Sequence, residues 1–252
     1  MNRSAEFDAF LARVRGGALA AGLAGAALCA AGYFLSPERF FQTYLFAYVF
    51  WLGLTLGSMI VVMIHGLTGG GWGLAIRRIG EAGMNTLPLM ILLFAPVLLG
   101  VNTLYEWSHP SVVEHDEVLR SKSAYLNVTG FQIRAAAAFA VWAISILLMN
   151  LWSPNADPDP DSPRSIRLQR VSGAGLALYG LAVTIAGVDW VMSLEPHWFS
   201  SMYGVLVAAG QGLSGLTFAI VAMTALEPYD PWRRIVNVGR RHDLGNLLLA
   251  FT

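Results

Sequence analysis

Apolar residues along the chain gather into six long stretches, and most charged residues lie in the segments between them. A helix needs about 20 mainly apolar residues to cross the hydrocarbon core of a bilayer, because each residue advances it by about 1.5 Å. The pattern therefore predicts spanning helices over residues 16–35, 42–67, 83–101, 133–152, 171–194 and 202–226. A seventh apolar stretch, residues 244–252, is too short to span. We expect it to be an interfacial segment or the start of a helix that continues past this sequence.

The composition favours the same fold class. Hydrophobic residues make up 56% of the chain and charged residues only 13%, whereas a soluble domain carries about 25% charged residues. We therefore predict an all-α polytopic membrane protein with one transmembrane domain over residues 1–252. The net charge is zero, so nothing indicates nucleic acid as a partner. The single cysteine, Cys29, lies in an apolar run and excludes a disulfide framework or a cysteine-ligated cluster.

Basic residues alternate between the two sets of connections. Twelve of the sixteen Arg and Lys residues fall in the N-terminal segment and in every second connection after it. The other side carries four: Arg39, Arg120, Lys122 and Arg134. Since segments rich in Lys and Arg stay in the cytoplasm, this asymmetry predicts a cytoplasmic N-terminus.

Two connections are longer than a turn. Residues 153–164 are rich in Pro and Asp, and such a composition predicts a linker that forms no core. Residues 102–131 combine aromatic side chains with charges of both signs. We expect this external connection to be ordered against a partner subunit or against the bundle itself.

Few ionisable groups lie within the predicted spans, where they are costly and usually face the bundle interior. Asp189 lies near the external end of the fifth span, and Arg134 lies at the external start of the fourth. The two are therefore expected at similar depth, in position to pair. Two interpretations stay open: a structural salt bridge between helices, or a carboxylate that carries protons or lines a polar path.

His65 and Gln211 are the other polar candidates within the spans. For His65, a buried and hydrogen-bonded histidine is favoured over a proton relay. It is the only histidine inside a span, which argues against a haem held by two intramembrane histidines. No phosphate-binding or dinucleotide-binding motif is present, and no histidine pair has the spacing of a zinc site.

Three stretches resemble a known family. They are LYEWSHPSVVEHDEVLRSKSAYLNV (104–128), DWVMSLEPHWFSSMYGVLVAAGQGLS (189–214) and HDLGNLLLAF (242–251). They are similar to the F subunit of alternative complex III, the smaller of two membrane subunits of the NrfD/PsrC-like family in that complex. The resemblance extends over essentially the whole chain, and DWVMSLEPHWFS is more specific than a generic apolar pattern.

The resemblance implies a subunit of a quinol oxidoreductase in the bacterial inner membrane that passes electrons to a cytochrome c-type acceptor. The implied partners are a larger NrfD-like subunit that binds quinol, an iron–sulfur subunit and multihaem cytochrome c subunits, with lipid around the helices. Haem c and iron–sulfur clusters are then expected in those partners and no cofactor in this chain. The chain itself is expected to be non-catalytic and to contribute a proton path.

The resemblance also implies a difference in length, because family members are similar to ten-helix proteins and this chain has six spans and the start of a seventh. A truncated sequence and a shortened relative are both compatible with this pattern. Two other functions therefore stay open: a purely structural membrane anchor and a small secondary transporter. The transporter is the weaker alternative, since Pro88 and Pro96 break only one span and transporters of this kind have broken helices in matched halves.

Overall fold

The computed structural model describes residues 3–153, 163–230 and 232–251, and every regular element in these ranges is a helix. Six helical segments are long and apolar enough to cross a membrane, which confirms the predicted all-α polytopic fold. The α-helices, in chain order, are α1 (Arg3–Leu35), α2 (Pro37–Thr68), α3 (Gly71–Met84), α4 (Leu87–Leu92), α5 (Ala95–Leu99), α6 (Val101–Leu104), α7 (Pro110–His115), α8 (Glu117–Lys122), α9 (Val128–Trp152), α10 (Pro163–Trp190), α11 (Tyr203–Leu226), α12 (Trp232–Ile235) and α13 (Val238–Ala250). Most of the linker expected over residues 153–164 lies outside the described residues.

In the described ranges, five of the six spans begin before the apolar stretches that predicted them, and α11 coincides with its stretch to within one residue. The third span is built from α3, α4 and α5 and begins at Gly71, well before the predicted start at residue 83. The extra turns carry Arg77, Arg78 and Glu81, whose charges hide a helix from a hydropathy pattern. The short seventh stretch is also longer than predicted, because α13 begins at Val238.

α2 lies at the centre of the bundle and packs against α3, α10 and α11. α10 also packs against α9, and α13 packs against α3 and α11. α1 lies on the outside against α2, and no residue of its apolar stretch is buried within this chain. The core therefore forms around α2.

Two prolines divide the third span. Proline has no N–H to donate and its ring clashes with the carbonyl four residues earlier. For Pro88 and Pro96 those carbonyls belong to Met84 and Leu92, the last residues of α3 and α4. Each helix therefore ends four residues before the proline that interrupts the span.

Two tyrosines of α2 bind carbonyls that the second break sets free. The N–H of Phe94 bonds to Ile91, and the N–H of Val97 bonds to Phe94, so Met90 and Leu93 lose their usual intrahelical donors. The hydroxyl of Tyr48 donates to Met90 O at 3.0 Å, and that of Tyr44 donates to Leu93 O at 2.7 Å. Neighbouring helices commonly satisfy freed carbonyls in this way inside membranes.

The two ends of the bundle differ in chemistry. At one end, which we call the basic end, Arg77 donates to Ser153, Gln169 donates to Leu67 O at 3.2 Å, and the rings of Phe7 and Tyr229 lie 5.3 Å apart. These contacts bring together the first turns of α1, the end of α2, α3, the end of α9, the first turns of α10 and the segment after α11. The basic segments that the sequence assigned to one side therefore lie at one end.

Residues 105–127 and 191–202 cover the opposite end, and we call them the cap. The ammonium of Lys122 donates to Pro196 O at 2.6 Å, and Nε2 of His197 lies 2.8 Å from an Asp116 carboxylate oxygen. Asp116 also accepts from the backbone N–H groups of Val118 and Leu119 at the start of α8, and these bonds together with His197 lower the pKa of its carboxyl. The external connection is thus ordered against the bundle, one of its two expected surroundings.

The closest helix contact lies between α2 and α11. A Cβ atom added to Gly215 would overlap the backbone of Gly57 and Ser58, and one added to Gly57 would overlap the backbone of Gln211. Small residues allow such approach in lipid, where no hydrophobic force drives helices together. This crossing fixes α11 to the central helix.

We predict that Gly215→Ala lowers the free energy of unfolding by about 1–3 kcal/mol, because the added methyl group has no room in a packed contact. Gly210→Ala is the matched control on the same helix, since no atom lies within 4 Å of its Cβ position. The control should leave stability within about 1 kcal/mol of the parent. Thermal unfolding of both variants in detergent measures the difference, and equal stabilities would contradict the close crossing.

Candidate functional site

Arg134 and Asp189 form an ion pair inside the bundle near the cap. Nε of Arg134 lies 2.6 Å from Oδ2 of Asp189, whose side chain is 1% exposed. Arg134 lies near the start of α9 and Asp189 near the end of α10, so the contact between these two helices brings the residues together at one depth. The structure thus answers the question of pairing that the sequence left open.

Tyr125 covers the ion pair from the cap. Its ring centroid lies 3.9 Å from the guanidinium carbon of Arg134, within the range of a cation–π contact. Burial, the negative charge of Asp189 and a hydrogen bond to the Asp189 carboxylate raise the pKa of Tyr125 to about 12. Arg134 is therefore held by a carboxylate and an aromatic face together.

Tyr105 links the cap to the end of α10. Its hydroxyl donates to Trp190 O at 2.8 Å, and its ring stacks on Trp107 at 4.9 Å. Burial and the charge of Asp189 both raise the pKa of Tyr105. Tyr105 of the cap thus fixes Trp190, the residue that follows Asp189 in the chain.

An aromatic cluster adjoins the ion pair on the bundle side. The ring of Trp190 lies 4.7 Å from Phe94, 5.6 Å from Phe139 and 6.0 Å from Trp142. Such surroundings offer little stabilisation to an isolated charge, which is costly away from water. Arg134 supplies the compensating charge, and this geometry favours the structural interpretation of the pair over a freely titrating carboxylate.

His65 lies at the basic end, away from the cap. Its Nε2 lies 3.2 Å from Gly70 O, and its ring contacts Trp72 edge to face. A Cβ atom at Gly73 would overlap the imidazole, so the glycine makes room for it. His65 holds the turn between α2 and α3. It is hydrogen-bonded but only partly buried, whereas the sequence favoured a histidine that is both buried and hydrogen-bonded.

Gln211 is buried in the middle of the bundle. Its side-chain oxygen accepts a hydrogen bond of 2.6 Å from the hydroxyl of Tyr179 on α10. The bond joins α10 to α11 close to the crossing at Gly57. The hydrogen bonds of His65 and Gln211 thus go to Gly70 and Tyr179, and neither reaches the ion pair.

The structure adds a second buried carboxylate that the sequence analysis missed. Glu81 is 7% exposed and binds Arg77 at 2.9 Å and Arg78 at 2.8 Å, while the hydroxyl of Ser153 donates to it. One turn further, Nδ2 of Asn150 donates to Oδ1 of Asn85 at 2.6 Å. These contacts join α3 to the end of α9. The available signal was the spacing of Arg77 and Arg78 from Glu81, which places all three on neighbouring turns of a helix.

Within the described ranges, no three residues among His, Cys, Asp and Glu lie close enough together to hold a metal ion. Whether the isolated chain carries a cofactor stays a prediction. No family model matches the sequence, and no curated protein matches it either.

We predict that Asp189→Asn lowers stability by roughly 3 kcal/mol, because it leaves the Arg134 charge buried without its partner. Adding Arg134→Gln should restore part of the loss, since the two effects are coupled through one contact. Thermal unfolding in detergent measures both steps.

Asp230→Asn is the control, because its pair with Arg234 is exposed and lies at the basic end. An exposed pair contributes at most about 1 kcal/mol. A double variant that loses the full sum of the two single losses would show that the Arg134–Asp189 contact carries no coupling energy.

Proposed function

We propose that this chain is a non-catalytic, cofactor-free membrane subunit of a respiratory quinol oxidoreductase similar to alternative complex III. In this proposal, a larger NrfD-like subunit binds quinol, and iron–sulfur and multihaem cytochrome c subunits carry the electrons. The chain lies beside these partners in the bacterial inner membrane.

One observation carries the proposal: the three stretches that resemble the F subunit contact one another in space. The first and second meet at Tyr105 and Trp190 and at Asp116 and His197. The third meets the second where the ring of Phe251 lies over Gly212. The three stretches thus form one connected part of the fold. The cap and the ion pair are thus the part that the proposal makes functional.

The polar residues proposed for a proton path do not form a continuous chain of contacts in the structure. The ion pair near the cap and Glu81 at the basic end place one buried carboxylate at each end of the bundle. His65 and Gln211 lie elsewhere and bond to their own neighbours. This separation favours the anchor as the second candidate function, with the ion pair acting as a clamp.

The direct experiment is affinity purification of a tagged chain from membranes of the cell that makes it. We predict that subunits carrying haem c elute with it, while the chain produced alone shows no Soret band. A chain that elutes alone from native membranes would contradict the proposal and favour a transporter. A Soret band in the isolated chain would contradict the cofactor-free assignment.

A pair of matched variants tests the docking surface in the same assay. Val112 is exposed in α7 of the cap, and Val238 is exposed at the start of α13 at the basic end. Because the cytochromes are expected outside the cytoplasm, Val112→Glu should reduce the haem that co-elutes, while Val238→Glu should not. The opposite order would place the cytochromes at the basic end.

We predict that the basic end faces the cytoplasm, because segments rich in Lys and Arg remain there. In a Cys29→Ala background, Val238→Cys should escape a membrane-impermeant thiol reagent in intact spheroplasts, and Ser121→Cys in α8 should react. Lysed membranes give the full labelling for each variant. Labelling of Val238→Cys before lysis would reverse the topology.

A further inference from the structure

Unpartnered polar atoms concentrate around the ion pair. Within the described ranges, five buried side-chain atoms have no hydrogen-bond partner in the protein: Nη2 of Arg134, Oδ1 of Asp189, and the indole Nε1 atoms of Trp107, Trp142 and Trp190. Buried polar groups in native proteins are nearly always bonded to protein or to ordered water. Each such atom therefore needs a partner.

These five residues belong to one connected region. Trp142 lies 6.0 Å from Trp190, which follows Asp189 in the chain. Tyr105 joins the remaining tryptophan, since it stacks on Trp107 and donates to Trp190 O. All three indoles are at most 3% exposed. The five atoms therefore belong to residues of one connected part of the bundle, next to the cap.

The hydrogen-bonding properties of the five atoms indicate what kind of molecule can bind them. Four of them are N–H donors and one is a carboxylate oxygen, so the missing group both accepts and donates hydrogen bonds. The charges of Arg134 and Asp189 already cancel, and an added ion would bring an uncompensated charge into a region of low dielectric. A small neutral molecule that accepts and donates fits both conditions. Water meets them, and buried water typically makes about three hydrogen bonds to otherwise unsatisfied groups.

We propose that the Arg134–Asp189 pair is hydrated inside the bundle by bound water that also accepts hydrogen bonds from the indoles of Trp107, Trp142 and Trp190. This water donates to Oδ1 of Asp189 and accepts from Nη2 of Arg134. The hydration is a property of the ion pair itself and holds whichever complex the chain joins. The bound water makes the region around the three indoles polar, and the cap separates this region from the outside.

The test uses the intact chain, deuterated and labelled with ¹⁵N-tryptophan, in detergent micelles. Eight indole N–H signals are expected and can be assigned with single Trp→Phe variants. The measured quantity is the through-space cross-peak between each indole proton and water. Trp198, half exposed in the cap, is the positive control. Trp51, exposed on the outer surface of α2 within the span, faces the detergent and is the negative control.

We expect water cross-peaks at Trp107, Trp142 and Trp190 that exceed the signal of Trp51, although these three side chains are the most deeply buried of the set. The measurement uses the unmodified chain, so a folding defect of a variant does not affect it. Three buried indoles without a water cross-peak, in a sample where Trp198 shows one, would mean that the site is dry and would overturn the proposal.

Discussion

In the hydrocarbon core of a bilayer, each polar group must find its hydrogen-bond partner in the protein or in water bound within it, and this constraint shapes the bundle. It explains why the six spans are helices, which satisfy their own backbone. Where the second break, next to Pro96, interrupts that arrangement, Tyr44 and Tyr48 of the central helix supply the missing donors. The two buried carboxylates obey the same constraint, since each lies against an arginine.

The two charged clusters differ in what they join. Glu81 pairs with arginines of its own helix, and its contact with Ser153 then ties α3 to the end of α9. Asp189 instead pairs with a residue from a neighbouring helix, so it locks α9 to α10 directly. The Glu81 cluster can therefore form largely within α3. The Arg134–Asp189 pair forms only when α9 and α10 have packed together. The pair near the cap is therefore the better candidate for function, because its geometry changes whenever a partner subunit changes the packing of α9 against α10.

Much of the fold follows from the sequence, because apolar length alone identifies a helix that spans a membrane. The placement of Asp189 and Arg134 at one depth also followed, since each lies a few residues from the same end of its span. No sequence pattern indicates that α9 and α10 touch at this depth, so the pair itself is known only from the structure. Glu81 was missed for a different reason: charges that neutralise one another within a helix still count against it in a hydropathy pattern. The sequence predicted that the long external connection is ordered, but not the contacts that order it, because these are single hydrogen bonds such as that of Lys122 with Pro196.

The tyrosines that bind the broken span precede it in the chain, and this order matters during synthesis. A ribosome delivers α2 to the membrane before α4 and α5 emerge, since chains appear from the N-terminus onward. The hydroxyls of Tyr44 and Tyr48 are thus already in the bilayer when Met90 and Leu93 arrive. α2 in this way provides hydrogen-bond donors for a segment that is synthesised after it. A circularly permuted chain that released the broken span first would present bare carbonyls to lipid.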